Sequence, residues 1–153
     1  RWSLIKNIID GDLHGVAYGA GRFVAVGPSG FVLTSTDGIN WSKIDSALTY
    51  HYRIIYDNDM FISVGENGVI LSSPDGINWS KWITCTDNNL LGVAYGNGLY
   101  VAIGTGGVIL SSPDGINWSN VESGINDNLE NIIYANNQFV IIGYGCGIFI
   151  CEH

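Results

Sequence analysis

Hydrophobic positions in this chain come in short runs, broken at regular intervals by Gly, Asn, Asp and Pro. The rhythm is plainest between residues 89 and 125. Leu91 to Tyr95 reads as a first strand, and Gly96-Asn97-Gly98 as a hairpin turn that accommodates positive φ. Leu99 to Ile103 is apolar without a break, which predicts a second strand buried on both faces. Gly104 to Gly107 turns the chain, Val108 to Ser112 forms a third strand, Pro113 to Ile116 turns again, and Asn117 to Val121 forms a fourth. No helical periodicity competes with this pattern.

The same pattern recurs along the whole chain. Trp2, Trp41, Trp79 and Trp118 are separated by steps of 39, 38 and 39 residues. Tyr18, Tyr56, Tyr95 and Tyr134 keep that step, as do Phe23, Phe61, Tyr100 and Phe139. Four antiparallel strands in about forty residues, tandemly repeated, predict the blades of a β-propeller. The expected fold is therefore all-β, a single β-propeller domain over 1–153 with four blades per chain. Its parts are a closing strand at 1–9, blades at 12–48, 50–86 and 89–125, and the first three strands of a fourth blade at 128–153. Arg1 to Ile8 matches a fourth strand, with Trp2 in the Trp41 position. The N-terminal strand is thus expected to complete the last blade and protect its edge. Four blades could close alone, or two chains could exchange the split blade to form an eight-bladed homodimer.

The repeat carries one motif. Ser35-Thr36-Asp37-Gly38-Ile39-Asn40-Trp41 returns as Ser73-Pro74-Asp75-Gly76-Ile77-Asn78-Trp79 and Ser112-Pro113-Asp114-Gly115-Ile116-Asn117-Trp118. An Asp can accept backbone N–H groups across a tight turn, where Gly relieves the steric cost, and the Trp ring can then pack between sheets. These residues resemble the BNR/Asp-box repeat family, except that Asp and Gly are adjacent here. The resemblance implies a propeller and raises sialidase-like hydrolysis, which needs an arginine cluster, a Tyr–Glu nucleophile pair and an acidic catalyst. Arg1, Arg22 and Arg53 are the only arginines. Arg22 begins a second strand and Arg53 a first strand, at opposite ends of their blades, so no cluster is expected. The reading is a non-catalytic module, with Asp37, Asp75 and Asp114 in structural roles.

Composition narrows the partners. The net charge of −8 disfavours nucleic acid and anionic membrane, which reward clustered Lys and Arg. No apolar run has the length of a membrane span, so no membrane insertion is expected. An extracellular or cell-surface setting is favoured. Cys85, Cys146 and Cys151 lack zinc-ligand spacing, and neither Asp57-Asn58-Asp59 nor Asp87-Asn88-Asn89 continues into a calcium loop, so no metal or cofactor is expected. Cys151 reads as a packed thiol, with a Cys146–Cys151 disulfide as the alternative.

Ligand recognition should then fall to loop residues that break the repeat. Loops leading into first strands share a face with those joining second to third strands. There the chain carries Tyr50, His51, Tyr52 and Arg53, together with Glu66, Asn67 and Tyr144. Aromatic platforms beside hydrogen-bonding groups suit a glycan or protein ligand.

Overall fold

The computed structural model describes residues 1–4, 11–28, 30–45 and 50–152, with backbone alone at 45, 146 and 152. Its regular structure is almost wholly β. The first sheet holds β1 (Gly15–Gly19), β2 (Arg22–Val26), β3 (Phe31–Ser35) and β4 (Ser42–Asp45). The second holds β5 (His51–Asp57), β6 (Met60–Gly65), β7 (Val69–Ser73) and β8 (Ser80–Ile83). The third holds β9 (Leu90–Gly96), β10 (Leu99–Gly104), β11 (Ile109–Ser112) and β12 (Ser119–Asn120), and the fourth β13 (Leu129–Ala135), β14 (Gln138–Gly143) and β15 (Ile148–Glu152). Each sheet is an antiparallel meander in chain order.

The third repeat matches its sequence reading closely. Asn97 and Gly98 take φ of 49° and 77°, the left-handed pair that a two-residue hairpin needs. Every residue of β10 after Leu99 is buried. The fourth strand is shorter than expected, Ser119–Asn120, because the repeated turn occupies the residues before it.

First strands stand side by side, β1 against β5, β5 against β9 and β9 against β13. Apolar side chains fill the seams between sheets. Val24, Val26 and Val32 of the first sheet meet Ile54 and Phe61 of the second. Ile62, Val64 and Ile70 meet Val93 and Tyr100 of the third. Val101 and Ile103 meet Ile132 and Phe139 of the fourth. One pattern of side chains is thus used three times.

Each first strand from the second sheet onward is bulged at the same place. His51 faces Gly65 but Arg53 faces Val64, and Leu90 and Gly92, then Leu129 and Asn131, repeat the shift. The bulge fixes which residues of the strand point inward.

Two expectations about the termini need correction. Arg1–Leu4 form no strand, and Trp2 is fully exposed rather than packed in the Trp41 position. The remainder of the expected closing strand, residues 5–9, lies outside the described residues. Cys151 is a free, exposed thiol and not a packed one; it lies near the end of β15, the outer strand of a sheet with no fourth strand among the described residues. Among the described residues, no helix is long and apolar enough to cross a membrane.

Candidate functional site

The repeated turn joins third to fourth strands and is built from its own side chains. Ser35 Oγ donates to Asp37 Oδ1 (3.0 Å) and accepts the Gly38 N–H (2.9 Å). Asp37 Oδ1 accepts the N–H groups of Ile39 (2.9 Å) and Asn40 (2.8 Å), while Oδ2 accepts Asn40 Nδ2 (2.8 Å). Asp75 and Asp114 repeat the arrangement with Ile77 and Asn78, and with Ile116 and Asn117. These donors, led by the Asn backbone N–H in each copy, hold all three carboxyls well below the usual carboxylate range. Both oxygens of each carboxylate are committed within the turn, which marks the motif as structural. Gly38, Gly76 and Gly115 take φ of 74°, 71° and 73°, where a side chain is strained.

The tryptophans follow from the turn. Trp41 Nε1 donates to the Gly38 carbonyl (3.1 Å) and Trp118 Nε1 to that of Gly115 (3.2 Å). Trp79 and Trp118 lie over the seams with the preceding sheets, as their positions in the repeat predict. Trp79 differs in that its buried Nε1 has no partner among the described residues.

The loop residues divide into an exposed group and a buried one. Tyr50 and Tyr52 come together with His14, a residue that sequence reasoning missed. The His14 and Tyr52 rings are stacked 5° from parallel with centroids 6.2 Å apart. Tyr50 lies 6.1 Å from Tyr52 and 6.5 Å from His14. The Tyr52 hydroxyl donates to Glu66 Oε1 (3.4 Å), and partial burial together with the Glu66 charge pushes its pKa up. The result is an exposed aromatic surface with a carboxylate at its edge. His14 was legible in one respect: counting back from the bulge, it stands one repeat before Tyr52.

The other candidates do not join this surface. His51 was expected among the ligand-facing residues, but it is 1% exposed. The bulge at Tyr52 turns the two neighbours in different directions, so His51 enters the core where Leu90 and Leu129 stand in the next two sheets. Its Nδ1 lies 3.1 Å from Ser63 Oγ, whose hydroxyl also reaches the Arg53 carbonyl (3.0 Å), and its Nε2 has no partner among the described residues. Burial, reinforced by the charge of Lys81, lowers its pKa to about 4. Arg53 is half-buried, with Nε enclosed and unpartnered among the described residues. Asn67, in the left-handed region at φ 54°, donates its N–H to Asn89 Oδ1 (3.1 Å) and so ties the second sheet to the third. Tyr144 is exposed, in the corresponding 3₁₀ turn of the fourth sheet (Tyr144–Cys146).

No family model matches the chain, and no curated protein sequence matches it. Solved structures do match in shape. The computationally designed Ika4 protein is 10% identical with a TM-score of 0.76, over 94% of this chain and 92% of that one. YCF48 bound to D1 peptide is 19% identical with a TM-score of 0.70, over 99% of this chain and 54% of that one. The WD40 β-propeller domain of Doa1 is 14% identical with a TM-score of 0.71, over 94% and 52%. The chain therefore has a β-propeller fold, and it spans about half the length of the YCF48 and Doa1 chains.

Proposed function

We propose that this chain is a non-catalytic propeller module that binds a peptide or protein segment on the surface formed by His14, Tyr50, Tyr52 and Glu66. The stacking of His14 on Tyr52 beside an exposed Tyr50 carries the reading. Aromatic side chains supply large contact area at little conformational cost, and such residues dominate the energetics of protein interfaces. Glu66 adds an acceptor and a negative charge, which suits a segment bearing a Lys, an Arg or free backbone N–H groups. YCF48, similar in fold, is described as bound to a peptide, which is compatible with this use of the scaffold.

The repeated turns support the resemblance to Asp boxes, since three copies share one internal hydrogen-bonding scheme. No catalytic role is assigned. Arg22 contacts Thr34 Oγ1 (3.2 Å) within its own sheet, and the repeated carboxylates are occupied by their own turns. Panning a random peptide library against the purified chain tests the reading. Peptides whose binding is lost in Tyr50→Ala and Tyr52→Ala support it. Binders indifferent to both substitutions, a glycan array positive where peptides are not, or turnover of a fluorogenic glycoside would each overturn it.

A further inference from the structure

The three seams between sheets use equivalent residues, and the equivalent positions recur on the two outer faces without a partner sheet among the described residues. At each seam the earlier sheet offers a forward face and the later sheet inserts one residue of its first strand. That residue is Ile54, Val93 or Ile132, exposed by 4%, 3% and 4%. Val16 holds this position in β1 and is 65% exposed. The forward faces place Val26, Val64 and Ile103 at 0% exposure, whereas their counterpart in the fourth sheet, Ile142, is 47% exposed. Val140, Ile148 and Ile133 extend that face with side chains that are likewise open to solvent in part or in full.

Three further details fit the two faces to each other. Tyr18 and Phe23 are already packed at 4.6 Å and 54°, the geometry of Tyr56 and Phe61 in the seam they close. A Cβ on Gly76 would lie 2.8 Å from Val24, and one on Gly115 would lie 2.8 Å from Ile62, because these turns rest on the preceding sheet. Gly38 meets only Phe23 of its own sheet. Finally, the N–H of Asn67 is accepted by Asn89 Oδ1 and that of Gly106 by Asn128 Oδ1 across two seams. The repeat places Gly145 and Asp12 in those roles, and the Asp12 carboxylate can accept the same bond.

We propose that the exposed face of the fourth sheet takes the first sheet of a second copy of this chain, and that the reciprocal contact closes an eight-bladed ring of two chains. The seam is the one already formed three times: Val16 of one copy enters between Val140, Ile142 and Ile148 of the other, and Asp12 accepts the Gly145 N–H. A second copy is the occupant because the three formed seams leave both faces of the same chain exposed. Such a head-to-tail contact uses two different patches and closes by two-fold rotation. This junction borders the aromatic surface, because His14 stands between Asp12 and Val16, but its test reads mass through Val16 and Ile142 whereas the other reads binding through Tyr50 and Tyr52, so the two proposals fail independently.

Light scattering during size-exclusion chromatography of the chain should give twice the chain mass. Ile142→Asp and Val16→Asp should each halve it, with the β circular dichroism spectrum kept. A single-chain mass at every soluble concentration overturns the proposal. Cross-linking guards against misfolded variants. In a Cys85→Ser, Cys146→Ser, Cys151→Ser background, a Val16→Cys chain mixed with an Ile142→Cys chain should form a disulfide-linked pair. A chain carrying both substitutions should form covalent dimers. A disulfide within one chain overturns the proposal in favour of four blades closing alone, and a ladder of trimers and larger species overturns ring closure.

Discussion

The ring of Tyr56 in β5 occupies the space where a side chain on Gly19 of β1 would begin: a Cβ there would fall inside the ring. Gly96 and Tyr134 repeat the relationship between β9 and β13. Glycine is kept at these hairpin corners for close approach, so that an aromatic of the next sheet can lie flat over the backbone. Gly19→Ala and Gly96→Ala should each cost about 1–3 kcal/mol through overpacking. Thermal unfolding followed by circular dichroism will register this as a drop of several degrees. Gly21, whose Cβ would meet nothing but whose φ is 74°, provides the contrast of strain without crowding.

Acid should weaken the fold in two stages. His51 is held neutral in the core, with a pKa of about 4 against 6.5 for the free side chain. The unfolded chain therefore binds a proton that the folded chain refuses, and stability falls as pH drops from 6.5 toward 4, by roughly 3 kcal/mol in all. Below that window the carboxylates of Asp37, Asp75 and Asp114 take over. Their folded pKa values are depressed, so the stability they contribute is present above the unfolded pKa and lost as pH falls through the folded one. Urea melts at pH 7 and pH 4.5 should show a large difference in the wild type. In a His51→Leu, Ser63→Ala variant, which copies Leu90 and Ala102 of the next sheet, that difference should largely vanish.

The three identical turns should not respond equally to mutation. Gly76 and Gly115 rest on Val24 and Ile62 of the preceding sheets, whereas Gly38 rests only on Phe23 of its own. Asp75→Ala and Asp114→Ala loosen turns whose glycines are buried against the preceding sheet. Asp37→Ala loosens a turn at an open face, where no packing of a preceding sheet depends on it among the described residues. Chemical denaturation of the single chain should rank the first two as clearly more damaging than the third. If the second-copy seam forms, the gap for Asp37 should narrow as protein concentration rises.

Binding is expected to follow the tyrosines. Tyr50→Ala and Tyr52→Ala should weaken a selected peptide at least tenfold each, the size typical of an aromatic anchor at an interface. Tyr144→Ala should leave affinity within about twofold, since its turn belongs to the fourth sheet. Isothermal titration calorimetry with matched melting curves separates lost contacts from lost fold.

The architecture was legible because the repeat sets strand, turn and seam together. Once Trp41, Trp79 and Trp118 are aligned, the strand limits of the third sheet follow to within one residue except at its short outer strand, which begins two residues later than expected. The candidate site was legible only in part. Tyr50, His51, Tyr52 and Arg53 are contiguous in sequence, and contiguity suggested a common surface. A one-residue bulge separates them, sending His51 inward and Tyr52 outward. Aligning His51 with Leu90 and Leu129 identifies it as a core position, a comparison that outranks its neighbours' chemistry. Trp2 misled for the opposite reason: its spacing from Trp41 suggested a packed ring, but the side chain is fully exposed.

The sameness of the seams reaches beyond this one chain. Because each sheet meets the next through the same few side chains, any sheet can in principle follow any other. Excising or duplicating one repeat leaves every surviving junction chemically intact. The unequal elements, His51 with Ser63 and the His14–Tyr52 stack, are what give one junction an address that the others lack.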